Sequence, residues 1–405
     1  MKIKEKSELN KNFTKLTQKR GISLIVLIVA IIVIIILAAA VILTVGKNNP
    51  VESAREATFK EDLRSFQDDL ALSISKDYTA NAGQRDSKFS ATDFDKIKDY
   101  IPSFTKKYEG KFAIVNDELK YVGDEEKEVT WSKELGVKKY FVMPESWKAT
   151  IAEVTEDGVP IPKGFIYVTG TKETGTVIKD SLDNEFVWIP ATEATYVKDL
   201  NFPKNCTPTG DDLPSDITDE IADVKKYGGF YIGRYEAGIP IGDTDPSNKI
   251  GKPVIKKLAT VWTNIDYDNA KASAENMISN DYVQTGLLTG KAWDTTCHWI
   301  GDIVDITNSC TYGNYSNSQS PANVTGYGTK QVAGFSDKWS VKNIYDLAGN
   351  VWELTAERSS SDCINRGGGF ASIAAGSGGP VPYRSNISSS GTDVTLGFRT
   401  RIYIK

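Results

Sequence analysis

At 405 residues, with 40% hydrophobic and 25% charged side chains, the chain has the composition of an ordinary globular protein and room for two or three domains. A formal net charge of -5, from 48 basic against 53 acidic residues, excludes the basic folded face of a nucleic-acid binder, so no nucleic-acid partner is expected. The cysteines Cys206, Cys297, Cys310 and Cys363 form no CxxC pair, which argues against a zinc or dithiol centre and leaves two disulfides or free buried thiols open.

In chain order, Lys2, Lys4, Lys6, Lys11, Lys15, Lys19 and Arg20 come first, followed by the uncharged run ISLIVLIVAIIVIIILAAAVILTV from Ile22 to Val45. A helix needs about 20 apolar residues to cross a bilayer, so 22–45 reads as a transmembrane helix. The basic flank should stay cytoplasmic, giving a single-pass protein of a bacterial cell membrane whose C-terminal part lies outside. No small-residue cleavage site follows the run.

The stretch KRGISLIVLIVAIIVIIILAAAVI resembles the start of type IV prepilins. The resemblance implies a basic leader, 1–21, cut between Gly21 and Ile22, a membrane location and pilin subunits as partners. Val26 stands where pilins usually carry the Glu that pairs with a neighbour's amino terminus, which counts against regular polymerisation. A plain signal anchor has the same hydropathy.

After a break at Gly46 to Pro50, the segment 46–78 reads as an amphipathic stalk helix. Phe59, Leu63, Phe66 and Leu70 form one stripe on it, and Pro50 suits its first turn. TANAGQRDSKFS is a linker. A small α/β spacer, 86–148, follows, with a hairpin turning at Asn116 and Asp117.

The remainder, 153–405, has many short strands and two convincing helices. One carries Tyr267, Ala270, Ala274 and Met277 on a face behind an acidic cap; the other carries Trp293, Cys297 and Ile300 and can be capped by Thr289. This implies an irregular α+β domain. In NIYDLAGNVWEL, Asn343 to Leu354, Gly349 and Asn350 call for a tight turn, and Val351 to Leu354 for a strand. Alternation sends Trp352 and Leu354 to one face and Val351 and Glu353 to the other. Asp346 and Glu353 are then expected on the outer side of the loop. With the carbonyls between them they make an all-oxygen set of the kind calcium takes, and a solvated turn is the plainer reading. His298, without companions, reads as a packing residue.

Several stretches in order, EFVWIP, GGFYIGRYEAG, the two helices, NIYDLAGNVWEL, NRGGGF and LGFRTRIYI, resemble the formylglycine-generating enzyme, or sulfatase-modifying factor, domain, a variant of the C-type lectin fold. The resemblance implies structural calcium held by side chains of Asp346 and Glu353 and carbonyls of Gly349 and Val351. Ser372 and Ser377 stand where the family's two catalytic cysteines fall. Serine forms no copper-binding thiolate, so no copper and no catalysis are expected.

From Cys363 to Ile404 there is no Lys, Glu, Gln, Met or Trp. Every residue from Ala371 to Val394 can be encoded by a codon ending in a pyrimidine. This resembles the variable region of lectin-fold target proteins of diversity-generating retroelements; an ordinary Gly/Ser-rich loop is the plainer alternative. Tyr383, Arg384 and Asn386 are the expected ligand contacts, with Ser372 and Ser377 lining the former active-site groove.

The leading expectation is an anchored display protein with an inactive lectin-type domain that binds an extracellular protein or glycan. A minor pilin with a structural role in filament assembly is the alternative. A divergent oxidase using other residues is the third reading.

Overall fold

Asn49 opens the first described helix. Its side chain accepts from the amides of Val51 and Glu52, and Pro50 follows in the first turn, where a missing N–H is no loss. The structure is a computed structural model describing residues 49–405 apart from 82, 86 and 246. The chain divides into two units, Met1–Lys138 and Lys139–Lys405.

The first unit contains α1 (Pro50–Ala80), α2 (Phe94–Tyr100), the hairpin strands β1 (Phe112–Val115) and β2 (Glu118–Tyr121), and α3 (Glu126–Glu134). Phe59, Leu63, Phe66 and Leu70 are the buried stripe of α1, and they meet Phe104, Tyr108, Phe112, Tyr121 and Trp131 in one apolar cluster. Each such burial contributes about 1.5–3 kcal/mol, enough to hold a helix whose other faces are charged. The hairpin turns at Asn116 and Asp117, with φ of 52° and 72°, a left-handed pair that matches the twist of the strands.

The expected leader, the cut between Gly21 and Ile22, and the helix 22–45 lie outside the described residues. Among the described residues no helix is long and apolar enough to cross a membrane. The longest of them, α1, is studded with Glu, Asp, Lys and Arg and buries only a stripe. The expected fold class, headed by a membrane-spanning helix, and the single-pass membrane placement are corrected accordingly. What is described is a mixed α/β chain with six α-helices and a largely β second unit.

The second unit begins with 139–148, where Trp147 packs edge-on to Tyr227 at 5.0 Å. Its elements are β3 (Ile151–Val154), β4 (Pro160–Pro162), β5 (Phe165–Thr169), β6 (Val177–Asp180), β7 (Glu185–Pro190), β8 (Gly210–Asp211), α4 (Ala222–Tyr227), β9 (Gly229–Gly233), α5 (Tyr267–Met277), β10 (Val283–Leu287), α6 (Gly290–Gly301), β11 (Ser340–Val341), β12 (Ile344–Tyr345), β13 (Trp352–Ser359), β14 (Asp362–Arg366), β15 (Ser385–Ser388), β16 (Leu396–Phe398) and β17 (Thr400–Ile404). One antiparallel sheet has the order β10-β17-β9-β7-β6-β5. A second has the order β15-β14-β13-β16, in which β16 runs parallel to β13 and β8 adds to its edge.

Both expected helices start where a side chain can cap them. Asp266 accepts from the Asn269 amide at the head of α5, and Thr289 from the Ala292 amide at the head of α6. α5 buries Tyr267, Ala270, Ala274 and Met277; α6 buries Trp293, Cys297 and Ile300. The Trp293 indole then donates to the Val381 carbonyl at 2.9 Å, tying α6 to the glycine-rich segment that precedes β15. All four thiols are free. Cys297 and Cys310 lie in one apolar cluster and Cys363 in another, while Cys206 is half-buried.

Candidate functional site

The loop from β12 to β13 is built on left-handed residues: Asp346 (φ 54°), Gly349 (φ 81°) and Asn350 (φ 58°). Gly349 is required twice over, since a Cβ there would also fall 2.2 Å from the Asn314 carbonyl oxygen. Asn350 locks the turn. Its side-chain oxygen accepts from Asn314 Nδ2 and the Gln331 amide, and its Nδ2 donates to Glu236 Oε2 at 2.6 Å. The Val351 amide donates to Glu236 Oε1 at 3.1 Å.

Asp346 and Glu353 are both buried, which corrects the expectation that they flank the loop on its outer side. Burial along β13 does not alternate as expected: Trp352 is half-buried, whereas Val351, just before the strand, and every residue from Glu353 to Glu357 are buried, so both sides of the strand are enclosed. β16 lies beside β13 as its parallel neighbour in the sheet. From the end of β16, Arg399 reaches back to Glu353 with Nε–Oε2 at 2.9 Å and Nη2–Oε1 at 2.6 Å, and also donates to the carbonyls of Gly233 and Tyr345. Asp346 Oδ2 accepts from the Gly334 amide at 2.6 Å, and its Oδ1 is buried without a partner.

Glu236, Asp346 and Glu353 thus face a single paired guanidinium in the interior. Burial, then the charges of Asp346 and Glu353, pushes Glu236 well above the ordinary carboxylate range. Burial raises Asp346 to about 7 against the pull of the Gly334 amide and Arg399. Burial raises Glu353 too, despite Arg399. An acid surplus of this kind is costly unless protons or a cation answer it.

Asp346 Oδ1, an orphaned oxygen in an acid-rich setting, fits a hard cation such as calcium. Glu353 fits less well, because Arg399 already holds both its oxygens. Among the described residues no group of three or more His, Cys, Asp or Glu converges to hold a metal ion, so a cation here would depend on Asp346 and main-chain oxygens such as those of Gly349 and Val351.

A second buried charge cluster lies beneath the segment Ala371 to Val394. Arg366 pairs with Asp294 at 2.6 Å and with Glu357 at 3.2 Å; Arg384 pairs with the same two acids, its Nε 3.1 Å from Glu357 Oε2. All four side chains are buried. The guanidinium groups also fix main chain: Arg366 donates to the carbonyls of Tyr383 and Pro382, Arg384 to that of Asp199. Lys198 bridges Glu357 and Asp211. Burial alone would raise Glu357, but the charges of Arg366, Arg384 and Lys198 outweigh it and hold this carboxyl below its ordinary value. Gly290, first residue of α6, makes room for that carboxylate, since a Cβ would meet it at 2.4 Å.

The expected contact residues divide accordingly. Arg384 is 0% exposed and committed to Asp294 and Glu357, so it supports the segment from below and offers nothing to a ligand. Tyr383 is buried, its ring 6.2 Å from that of Trp352. Asn386, on β15, is half-buried and donates to Asp362 at 2.6 Å. Ser372 is half-buried, its hydroxyl accepting from the Gly369 amide, while Ser377 is exposed on the short 3-10 turn Gly376–Gly378. The outward positions that sequence reasoning passed over are Ile373 (56% exposed) and Val394 (53%), with Ser388, Ser390 and Thr392 beside them in the chain. Glu236 and Arg399 lie in GGFYIGRYEAG and LGFRTRIYI, and sequence reasoning misses both. The available signal is an acid and an arginine next to apolar strands, Glu236 after β9 and Arg399 between β16 and β17.

His298 is exposed, 3.1 Å from Asp199 and packed against the Phe202 ring. Burial pushes the Cys297 thiol well above its ordinary value and that of Cys363 up to about 11. Thiols of that kind are poor sources of thiolate.

No protein-family model matches the chain, and no curated protein does. Among solved structures, the chain is similar to Treponema denticola variable protein 1, at 14% identity and a TM-score of 0.32, over 58% of this chain and 98% of that one. It is also similar to PvdO from Pseudomonas aeruginosa, at 15% identity and a TM-score of 0.30, over 58% of this chain and 99% of that one.

Proposed function

We propose that the second unit is a non-catalytic binding module that displays the segment Ala371 to Val394 to a protein or glycan ligand. One observation carries this reading: the buried Arg366, Arg384, Asp294 and Glu357 cluster holds the segment at Pro382 to Arg384, while Ile373, Ser377, Ser388, Ser390, Thr392 and Val394 are exposed. Recognition loops work this way, with adaptable contacts on a frame that does not move when they change. Rewriting of the segment by a diversity-generating retroelement would suit the same division. Serine at 372 and 377 and the burial of Cys297, Cys310 and Cys363 support the non-catalytic part.

A protein and glycan array probed with the purified chain tests the proposal. A binder lost on Ile373→Asp plus Val394→Asp, with an unchanged melting temperature, is the expected result. Undiminished binding by that double variant would contradict it. In closely related chains, variation should concentrate at 373, 377, 388, 390, 392 and 394 and spare Arg366 and Arg384.

Calcium at the Asp346 loop is part of the proposal, as the ion that offsets the acid surplus beside Arg399. Asp346→Asn is the informative variant, because replacing Glu353 would strand a buried guanidinium.

A further inference from the structure

A pocket of about 780 Å³ shares no lining residue with either of these charge clusters; Lys172, Lys342, Glu173, Asp302, Trp299 and Ile303 are among the residues that line it. Pockets of a few hundred to a thousand Å³ are the usual size for small-molecule sites. Lys342 is one of its lining residues. The side chain is 10% exposed, its ammonium donates to the Trp299 carbonyl at 2.8 Å and sits 4.3 Å from the centre of the Trp299 ring. Asp302 is 3.9 Å away and itself well solvated, so it neutralises the ammonium weakly. Burial holds Lys342 below the ordinary lysine value.

The backbone has gone to some length to place this lysine. Lys342 and Asn343, with φ of 48° and 67°, form the two-residue turn between β11 and β12, where the left-handed conformation is disfavoured for a lysine. Asn343 clamps the turn to the pocket's other wall by donating to the carbonyls of Thr174 and Gly175. Gly175 is glycine because a Cβ would fall 2.1 Å from the Lys342 carbonyl oxygen. Among the described residues the Lys342 ammonium makes one hydrogen bond, to the Trp299 carbonyl at the end of α6, although an ammonium has three donors, and Lys342 lines the cavity.

We propose that this pocket binds a carboxylate-bearing sugar of the uronic-acid type. Its carboxylate would take the remaining donors of Lys342, with Lys172 also lining the pocket. Its C–H face would lie against Trp299, Pro190 and Ile303, and its hydroxyls would donate to Glu173 and Asp302. A purely apolar ligand would leave the buried ammonium unanswered, and a neutral sugar would leave its charge unused.

Calorimetric titration of the purified chain with D-glucuronate, D-glucose and L-glutamate tests this. Saturable binding of glucuronate, with glucose at least tenfold weaker and glutamate no tighter than glucose, is expected. Lys342→Gln should weaken glucuronate at least tenfold and bring it level with glucose. If that variant melts early through loss of the α6 cap, Ile303→Asp decides, since Ile303 is 62% exposed and a carboxylate there should repel the ligand without touching the fold. Equal binding of glucuronate and glucose, a preference for glutamate, no binding of glucuronate, or full affinity in Ile303→Asp would overturn the proposal.

Discussion

Two of the charge clusters buried in the second unit are balanced differently. Beneath the glycine-rich segment, Asp294 and Glu357 meet Arg366 and Arg384, acid for base. Beside the Asp346 loop, the buried carboxylates of Glu236, Asp346 and Glu353 lie with the buried Arg399, which pairs with Glu353, and Lys257 adds a weaker pull on Asp346. The consequence is opposite in sign: Glu357 is held below its ordinary value, whereas Glu236, Asp346 and Glu353 are all raised. A balanced cluster is complete and can serve as a frame. One with surplus acid is incomplete, and awaits protons or a cation.

Breaking the frame should have the largest effect. Arg384→Ala leaves two buried acids short of a partner, and a loss of about 3–5 kcal/mol in chemical denaturation is expected, the range for removing one member of a buried pair. A loss below about 1 kcal/mol would mean that Arg384 is not part of the frame. Gly349→Ala should come next, costing more than about 1 kcal/mol through strained φ and the clash with Asn314.

The pH dependence should separate the clusters. A carboxyl raised on folding takes up a proton, so its contribution is complete below its unfolded value and is lost as pH rises; for Asp346 the loss runs from near 4 to about 7. Glu357 is depressed, so its contribution is present above its unfolded value and lost as pH falls further. Denaturation of the metal-free chain should therefore show stability falling towards neutral pH, and Asp346→Asn should flatten that fall. With calcium at a hundred times its dissociation constant, about 2.7 kcal/mol should return in the unmodified chain and not in Asp346→Asn. An equal calcium response in both proteins would contradict the assignment. The smallest effect belongs to the surface, where Ser388→Arg or Thr392→Lys should change stability by less than about 0.5 kcal/mol.

Features set by neighbouring residues were legible in the sequence. The Phe59, Leu63, Phe66 and Leu70 stripe, the turn at Asn116 and Asp117, the caps Asp266 and Thr289, and the turn at Gly349 and Asn350 each depend on a few consecutive positions. What was missed depends on distant ones. Arg384 reads as a surface contact in a Gly/Ser-rich loop until Asp294, 90 residues earlier, and Glu357, 27 residues earlier, are seen to enclose it. Alternation gives β13 one outward side, but Glu353 to Glu357 are all buried, and the enclosure of Asp346 and Glu353 depends on Gly334 and Arg399, which no local pattern relates to them. The apolar run 22–45 spoke for a membrane helix, yet no described helix has that character.

The claim that a fixed frame carries an interchangeable surface is tested most directly by replacing Ile373, Ser377, Ser388, Ser390, Thr392 and Val394 together with unrelated polar residues and measuring thermal unfolding alongside array binding. Cooperative unfolding within a few degrees of the unmodified chain, with the original binding gone, is the predicted result. Collapse of the fold, or the same ligand bound as before, would contradict it.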